Sequence, residues 1–331
     1  MDPQTARRPG ARPSWYGPLL YTAVASVVLV GVTASGTTHV KAQARGGTGL
    51  VSSSSSPTAG AQAADASSRT PEATVESVAT TASPTPTVPA VDRNALLAEA
   101  MESVAVEDGA RVSVAVLDPE SGQRAVYGDG SFDSASIVKV DILAALLLQA
   151  QDAGQELTAT EKSYATAMIK SSDNVSASEL WDAIGRAEGL AAANERFGLS
   201  GTEGGDGTLW GLTQTTAADQ LALLQQVFGE ESVLNEASRV YLRGLMGDIA
   251  VGQDWGVSAV GSEPQFALKN GWLPRSQTGL WVINSIGRVT VDGHAYLVAA
   301  LSQGNSTKAK GISLVEAAAR AAVSSLRDAD V

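Results

Sequence analysis

The sequence predicts a mixed α/β domain in which one sheet is assembled from strands far apart in the chain, with a helix-rich segment inserted between them. Three observations predict it. Runs of β-branched and aromatic residues stand near residues 111–127 and again at 279–302. Between them, from about residue 136 to 250, apolar residues recur at helical spacing. A last amphipathic stretch, with Ile312, Val315, Ala319 and Ala322 on one face, closes the chain as a helix. No internal repeat is visible.

The first ninety residues read differently from the rest. Residues 1–16 form a basic segment containing Arg7, Arg8 and Arg12, followed at 17–36 by an uncharged, mostly apolar stretch just long enough to span a bilayer as a helix. Basic residues before such a span keep the N-terminus in the cytoplasm and send the remainder outward. A cleaved secretory signal is the rival reading, since Val32-Thr33-Ala34 and Ala42-Gln43-Ala44 both resemble small-residue cleavage sites. Under either reading the domain at 91–331 is extracytoplasmic, anchored to the membrane or secreted. Residues 37–90 are dominated by Ser, Thr, Ala, Gly and Pro. With so few large apolar side chains this stretch cannot offset its own ordering entropy, and we read it as a disordered tether.

Within residues 91–331, Asp92 can cap a helix that carries Leu97, Met101 and Val104 on one face. Residues 111–117 form a strand, 119–122 a turn, and a second strand surrounds Tyr127. A long helix runs from Ser136 to about Ala153, with Asp133 or Ser134 as its cap, and is apolar nearly all round from Val140 to Leu148, as expected of a buried central helix. Helices follow at 161–169 and 175–184. Two later strands, 279–286 and 294–302, are joined by a turn at Asp292-Gly293.

Charge and cysteine content exclude several function classes. The formal charge is −12 overall; residues 1–90 hold six basic and four acidic residues, which leaves 17 basic and 31 acidic in the C-terminal domain, a net −14. Such a domain is a poor nucleic-acid binder. No cysteine is present, and a domain of roughly 240 residues buries enough surface to need no disulfide. His294 is the only histidine in the domain, so neither a thiolate and imidazole zinc site nor a Ser-His-Asp triad can be assembled; no metal and no cofactor is expected.

Three short motifs carry the chemistry: Ser136-Ile137-Val138-Lys139, Ser172-Asp173-Asn174 and Lys269-Asn270-Gly271. Ser136 and Lys139 lie three apart at a helix start, on one face. A helix N-terminus disfavours a protonated amine and favours anionic charge, which suits an activated serine. Ser172-Asp173-Asn174 falls between two helices, where a loop with an N-cap is the plain alternative. Lys269 ends a strand that leads into a turn, with an edge-strand lysine as its plain alternative. Any single Ser-x-x-Lys is expected by chance in so serine-rich a chain; the ordered set is not.

With these residues in view, the domain resembles the penicillin-recognising serine enzymes, specifically the class A β-lactamase type, whose S-x-x-K, S-D-N and K-T-G motifs occur in this order. The resemblance spans residues 91–331, including Thr215-Thr216-Ala217-Ala218-Asp219 at a helix start. It implies a β-lactamase/transpeptidase-like α+β fold: a five-stranded antiparallel sheet flanked by helices plus an all-helical subdomain. By the same resemblance Ser136 is the acylated nucleophile, Lys139 its base, and Ser172 the proton donor to the leaving nitrogen. Lys269 keeps Lys139 neutral and attracts a substrate carboxylate, Asn174 binds substrate or Lys139, and the backbone N–H groups of Ser136 and Trp272, beside Gly271, form an oxyanion hole. The implied partner is a small-molecule β-lactam or a cell-wall peptide, acted on by a monomer.

Two departures from the family pattern qualify the expected activity. Asn270 stands where the family has a hydroxyl residue, although its amide can still donate to a substrate carboxylate. Between Asn174 and Thr215 there is no Glu-x-x-x-Asn spacing of the kind that deacylates class A enzymes; Glu203 and Asp206 are the acids of a shortened glycine-rich loop and read as solvated loop charge. The leading function is a β-lactamase-like serine hydrolase that turns over β-lactams; the alternatives are a penicillin-binding or peptidase-like protein with a slow or stable acyl-enzyme, and a catalytically weak cell-surface binding module.

Overall fold

The computed structural model describes residues 91–261 and 265–327. The predicted segments 1–16, 17–36 and 37–90 lie outside them. Among the described residues no helix is long and apolar enough to cross a membrane.

In chain order the elements are α1 (Arg93–Met101), β1 (Arg111–Leu117), β2 (Arg124–Tyr127), β3 (Phe132–Asp133), α2 (Val138–Asp152), α3 (Ala159–Lys170), α4 (Asn174–Ala183), α5 (Arg186–Phe197), β4 (Gln214–Thr215), α6 (Ala217–Phe228), α7 (Glu236–Gly247), β5 (Gln265–Pro274), β6 (Trp281–Val291), β7 (His294–Asn305) and α8 (Lys308–Arg327). Five strands form one sheet in the order β2-β1-β7-β6-β5, every neighbouring pair antiparallel. The two-residue strands β3 and β4 pair separately. The α+β architecture with a five-stranded antiparallel sheet is the one expected.

Period-two alternation divides the sheet between two cores. Ala115, Leu117, Leu297, Ala299 and Leu301 face one cluster with α2 and the other helices of the middle segment. Val114, Val116, Val298 and Ala300 face the other, with α1 and α8. The eleven consecutive residues Val138–Leu148 of α2 are all buried, which explains why its sequence has no polar face. Truncating one of them, Leu143 for example, to alanine would cost about 2–5 kcal/mol.

Local differences from the sequence expectations have simple causes. Asp92 caps α1 as expected, accepting from the Asn94 and Ala95 N–H groups at 3.0 and 3.1 Å, but the helix stops at Met101 and leaves Val104 beyond it. A 3-10 turn, Ala135–Ile137, precedes α2, and neither Asp133 nor Ser134 caps it with a side chain. The Asp133 carboxylate is taken by other partners, accepting from Gln214 Nε2 at 2.5 Å and pairing with Arg275 at 2.8 Å. Lys269-Asn270-Gly271 lies in mid-strand rather than at a strand end, because β5 continues to Pro274 alongside β6. β6 likewise extends past Ile286 to Val291, up to the expected turn at Asp292-Gly293.

Candidate active site

Ser136 sits in the 3-10 turn, half-buried, at the end of a cleft. The turn is held from the sheet: Asn284 on β6 donates from Nδ2 to the carbonyls of Asp133 and Ser134, both at 2.9 Å, while its Oδ1 accepts from the Ser302 N–H. Ala135, just before the serine, has φ of 48°, a left-handed conformation that costs a non-glycine residue of order 1–3 kcal/mol and persists because the surrounding contacts fix it. β5 approaches closely at Gly271. A Cβ there would lie 2.8 Å from the Ser136 nitrogen and 2.9 Å from that of Ile137, so glycine is what lets strand and turn meet.

One helical turn on, Lys139 is fully buried, and its Nζ reaches the Ser172 carbonyl at 2.7 Å, Asn174 Oδ1 at 2.8 Å and Ser172 Oγ at 3.2 Å. Ser172 occupies the turn between α3 and α4 with φ of 55°, which aims both its carbonyl and its hydroxyl inward. Asp173 caps α4 by accepting from the Ser176 N–H at 2.7 Å, and so fixes that turn. From the opposite side Lys269, buried in β5, donates to Ser172 Oγ at 3.1 Å and to the Asn270 carbonyl at 2.8 Å. One hydroxyl therefore lies between two lysines that belong to elements 130 residues apart.

Burial governs both amines. Desolvation pushes Lys139 down to about 7, partly opposed by the Asp173 carboxylate. Lys269 is pushed well below its usual range by desolvation and by the charge of Lys139. A neutral Lys139 keeps two N–H donors, which match the Ser172 carbonyl and Asn174 Oδ1, and frees a lone pair to accept a hydroxyl proton.

The cleft, about 460 Å³, brings Ser136, Asn174 and Trp272 together with Thr208–Leu212 and the β5–β6 connection. Among the described residues lining it there is no carboxylate, and Arg275 is the one charged side chain. Glu203 and Asp206 are exposed and away from it. Glu203 contributes its backbone instead, exchanging both hydrogen bonds with Gln214 at 2.9 Å to close the base of the loop. The expected substrate contact from Asn270 is corrected by register. Neighbouring side chains on a strand point to opposite faces, and with Lys269 turned to Ser172, Asn270 turns away and donates both amide hydrogens to the carbonyls of Gln253 and Trp255 at 2.8 Å. Trp272 likewise packs its ring against Trp255 and Lys308.

Sequence reasoning passed over Asn284, Arg275 and above all Trp210. The Trp210 ring centroid lies 4.9 Å from Lys139 Nζ, and its indole N–H donates to Ser178 Oγ on α4 at 3.1 Å. A second indole, Trp181 of α4, donates to the Gly207 carbonyl at 2.8 Å, so helix and loop are fastened in both directions. The available signal was the one aromatic residue, flanked by Leu209 and Leu212, in a loop otherwise rich in glycine and polar residues.

The chain matches the family model described as the Beta-lactamase enzyme family over residues 96–163 and 148–326. No curated protein sequence matches it. Among solved structures, a β-lactamase from Xanthomonas campestris pv. campestris is 22% identical with a TM-score of 0.56, the match covering 69% of this chain and 95% of that one. PBP-A is 19% identical with a TM-score of 0.61, over 71% and 96% of the two chains. A variant of the class A β-lactamase of the last common ancestor of Gram-negative bacteria is 24% identical with a TM-score of 0.56, over 70% and 97%. With the family model spanning most of the domain and the serine, lysine and second-serine motifs converging on one cleft, the chain belongs to the Beta-lactamase enzyme family.

Proposed function

We propose that residues 91–331 form an extracytoplasmic serine acyl-enzyme hydrolase that opens β-lactams or a related amide of cell-wall peptides through Ser136. The observation that carries this reading is the Ser172 hydroxyl held between Lys139 and Lys269, within reach of both amines. Neutral Lys139 takes the Ser136 proton as the oxygen attacks the amide carbonyl, and the Ser136 backbone N–H beside Gly271 faces the developing oxyanion. Ser172 passes a proton to the departing nitrogen and is resupplied from the lysines; the C–N bond breaks and an ester on Ser136 remains. Asn174 holds Lys139 in place throughout.

For the second half-reaction we favour slow release. The observation is the cleft lining, which among the described residues offers no carboxylate to activate water. Without such a base, roughly 10²- to 10⁴-fold in deacylation rate is forgone. A PBP-A variant has been captured as an acyl-enzyme with penicillin G, and an adduct of that kind is the expected state here. Labelling the protein with a fluorescent penicillin tests the reading: the label should map to Ser136 and vanish in Ser136→Ala. Absence of label from every acylating probe would remove the enzymatic reading and favour a binding module. Placement outside the cytoplasm rests on the basic residues ahead of the apolar stretch 17–36; protease accessibility of the domain on intact cells checks it.

A further inference from the structure

We propose that Trp210 is a positioning residue whose ring closes the cleft wall over Lys139 and keeps water from the ester on Ser136. The inference rests on the slow-release reading above. Trp210 lines the same cleft as Ser136 and Asn174, while the Lys139 amine beneath its ring has no exposure to solvent. The ring is not free to swing, because its N–H is bonded to Ser178 Oγ, and that hydroxyl donates in turn to the Asn174 carbonyl at 3.1 Å. The loop carrying it is fastened at its base by Thr202 and Thr215, whose hydroxyls meet at 2.8 Å, and by the Trp181 indole at Gly207. The cleft wall is thus, at this point, an aromatic plate tied to α4, and it lies over the Lys139 amine.

Removing the plate admits water beside Lys139. The amine can then take a proton from that water as its oxygen adds to the ester carbonyl; the intermediate collapses, the Ser136 oxygen leaves and recovers the proton, and the free acid departs. Deacylation in the opened variant should therefore follow the titration of Lys139.

The test is a chase of the penicillin adduct by intact mass in wild type, Trp210→Ala and Trp210→Phe, across pH. We expect Trp210→Ala to shorten the adduct lifetime at least about tenfold, with a decay rate that rises with pH as Lys139, its desolvation partly relieved, loses its proton, and Trp210→Phe, which keeps a ring, to stay within about threefold of wild type. A Trp210→Ala adduct as durable as that of wild type overturns the proposal and leaves the slow-release reading intact, as does equal acceleration by Trp210→Phe. A wild-type adduct that never forms, or decays within seconds, overturns that reading and the proposal with it. Should Trp210→Ala fail to fold, Ser178→Ala frees the indole instead; its adduct should be released several-fold faster, and an unchanged lifetime overturns the proposal.

Discussion

The two walls of the cleft handle ionisable groups in opposite ways. On one side, α2, the turn before α4 and β5 bury two lysines around a single hydroxyl, a costly arrangement that leaves at least one amine ready to accept a proton. On the other, the loop at 201–215 sends its acids to solvent and presents tryptophan and leucine to the cleft. The first wall gathers amines and a hydroxyl, and the second offers no carboxylate to the cleft. The proposed function divides along the same line, with acylation assigned to the first wall and slow release to the second.

The comparison can be broken most sharply at the lysine wall. Lys139→Ala should slow acylation by roughly 10²- to 10⁴-fold, read as the rate of adduct appearance; an unchanged rate would assign the base elsewhere. Gly271→Ala comes next. Its Cβ would meet the Ser136 nitrogen at 2.8 Å and force strand and turn apart. The loss of one oxyanion donor, about 10²- to 10³-fold in acylation, is expected together with a lowered melting temperature, because buried backbone must shift to admit the methyl group.

pH sharpens the comparison further. Acylation should rise with pH through about 7 as Lys139 loses its proton. Stability follows a related curve. Between about 7 and 10.5 the unfolded chain binds a proton that folded Lys139 does not, so stability rises with pH over that window. Asp141 has the opposite sign: burial beneath Gln220 raises it from 3.8 to about 7, so between those values the folded state holds the extra proton and stability falls as pH rises. Together they place a minimum near neutrality. Lys269, lowered in the same direction, adds to the upper limb, so Lys139→Met should make that limb shallower and Asp141→Asn should flatten the lower, in thermal melts across pH.

The smallest effect is expected from Asp173→Ala. It removes the α4 cap, at about 1 kcal/mol, and withdraws the carboxylate that opposes the lowering of Lys139. The acid limb of the acylation profile should move to lower pH; a shift the other way would show that Asp173 does not act through the amine.

What the sequence revealed depends on how far apart the deciding residues are. Ser136 and Lys139 were legible because three residues on a helix fix a shared face, and α2 because its apolar run admits no exposed side. Lys269 was legible as part of an ordered motif set. Asn270 was misassigned although alternation along β5 contained the answer: once Lys269 faces Ser172, its neighbour must face the Gln253–Trp255 backbone. Trp210 was not legible in that way. Its position is set by ties from α4 and β4 that only the folded chain brings together, and no local period encodes them.

The most direct test of this division is a pre-steady-state measurement with a chromogenic cephalosporin in excess over the full-length protein. The account predicts a burst of about one equivalent of opened ring per protein, abolished in Ser136→Ala, followed by a nearly flat phase. Rapid linear turnover without a burst would contradict it, because a wall without a carboxylate would then be releasing the acyl group as fast as the lysine wall forms it.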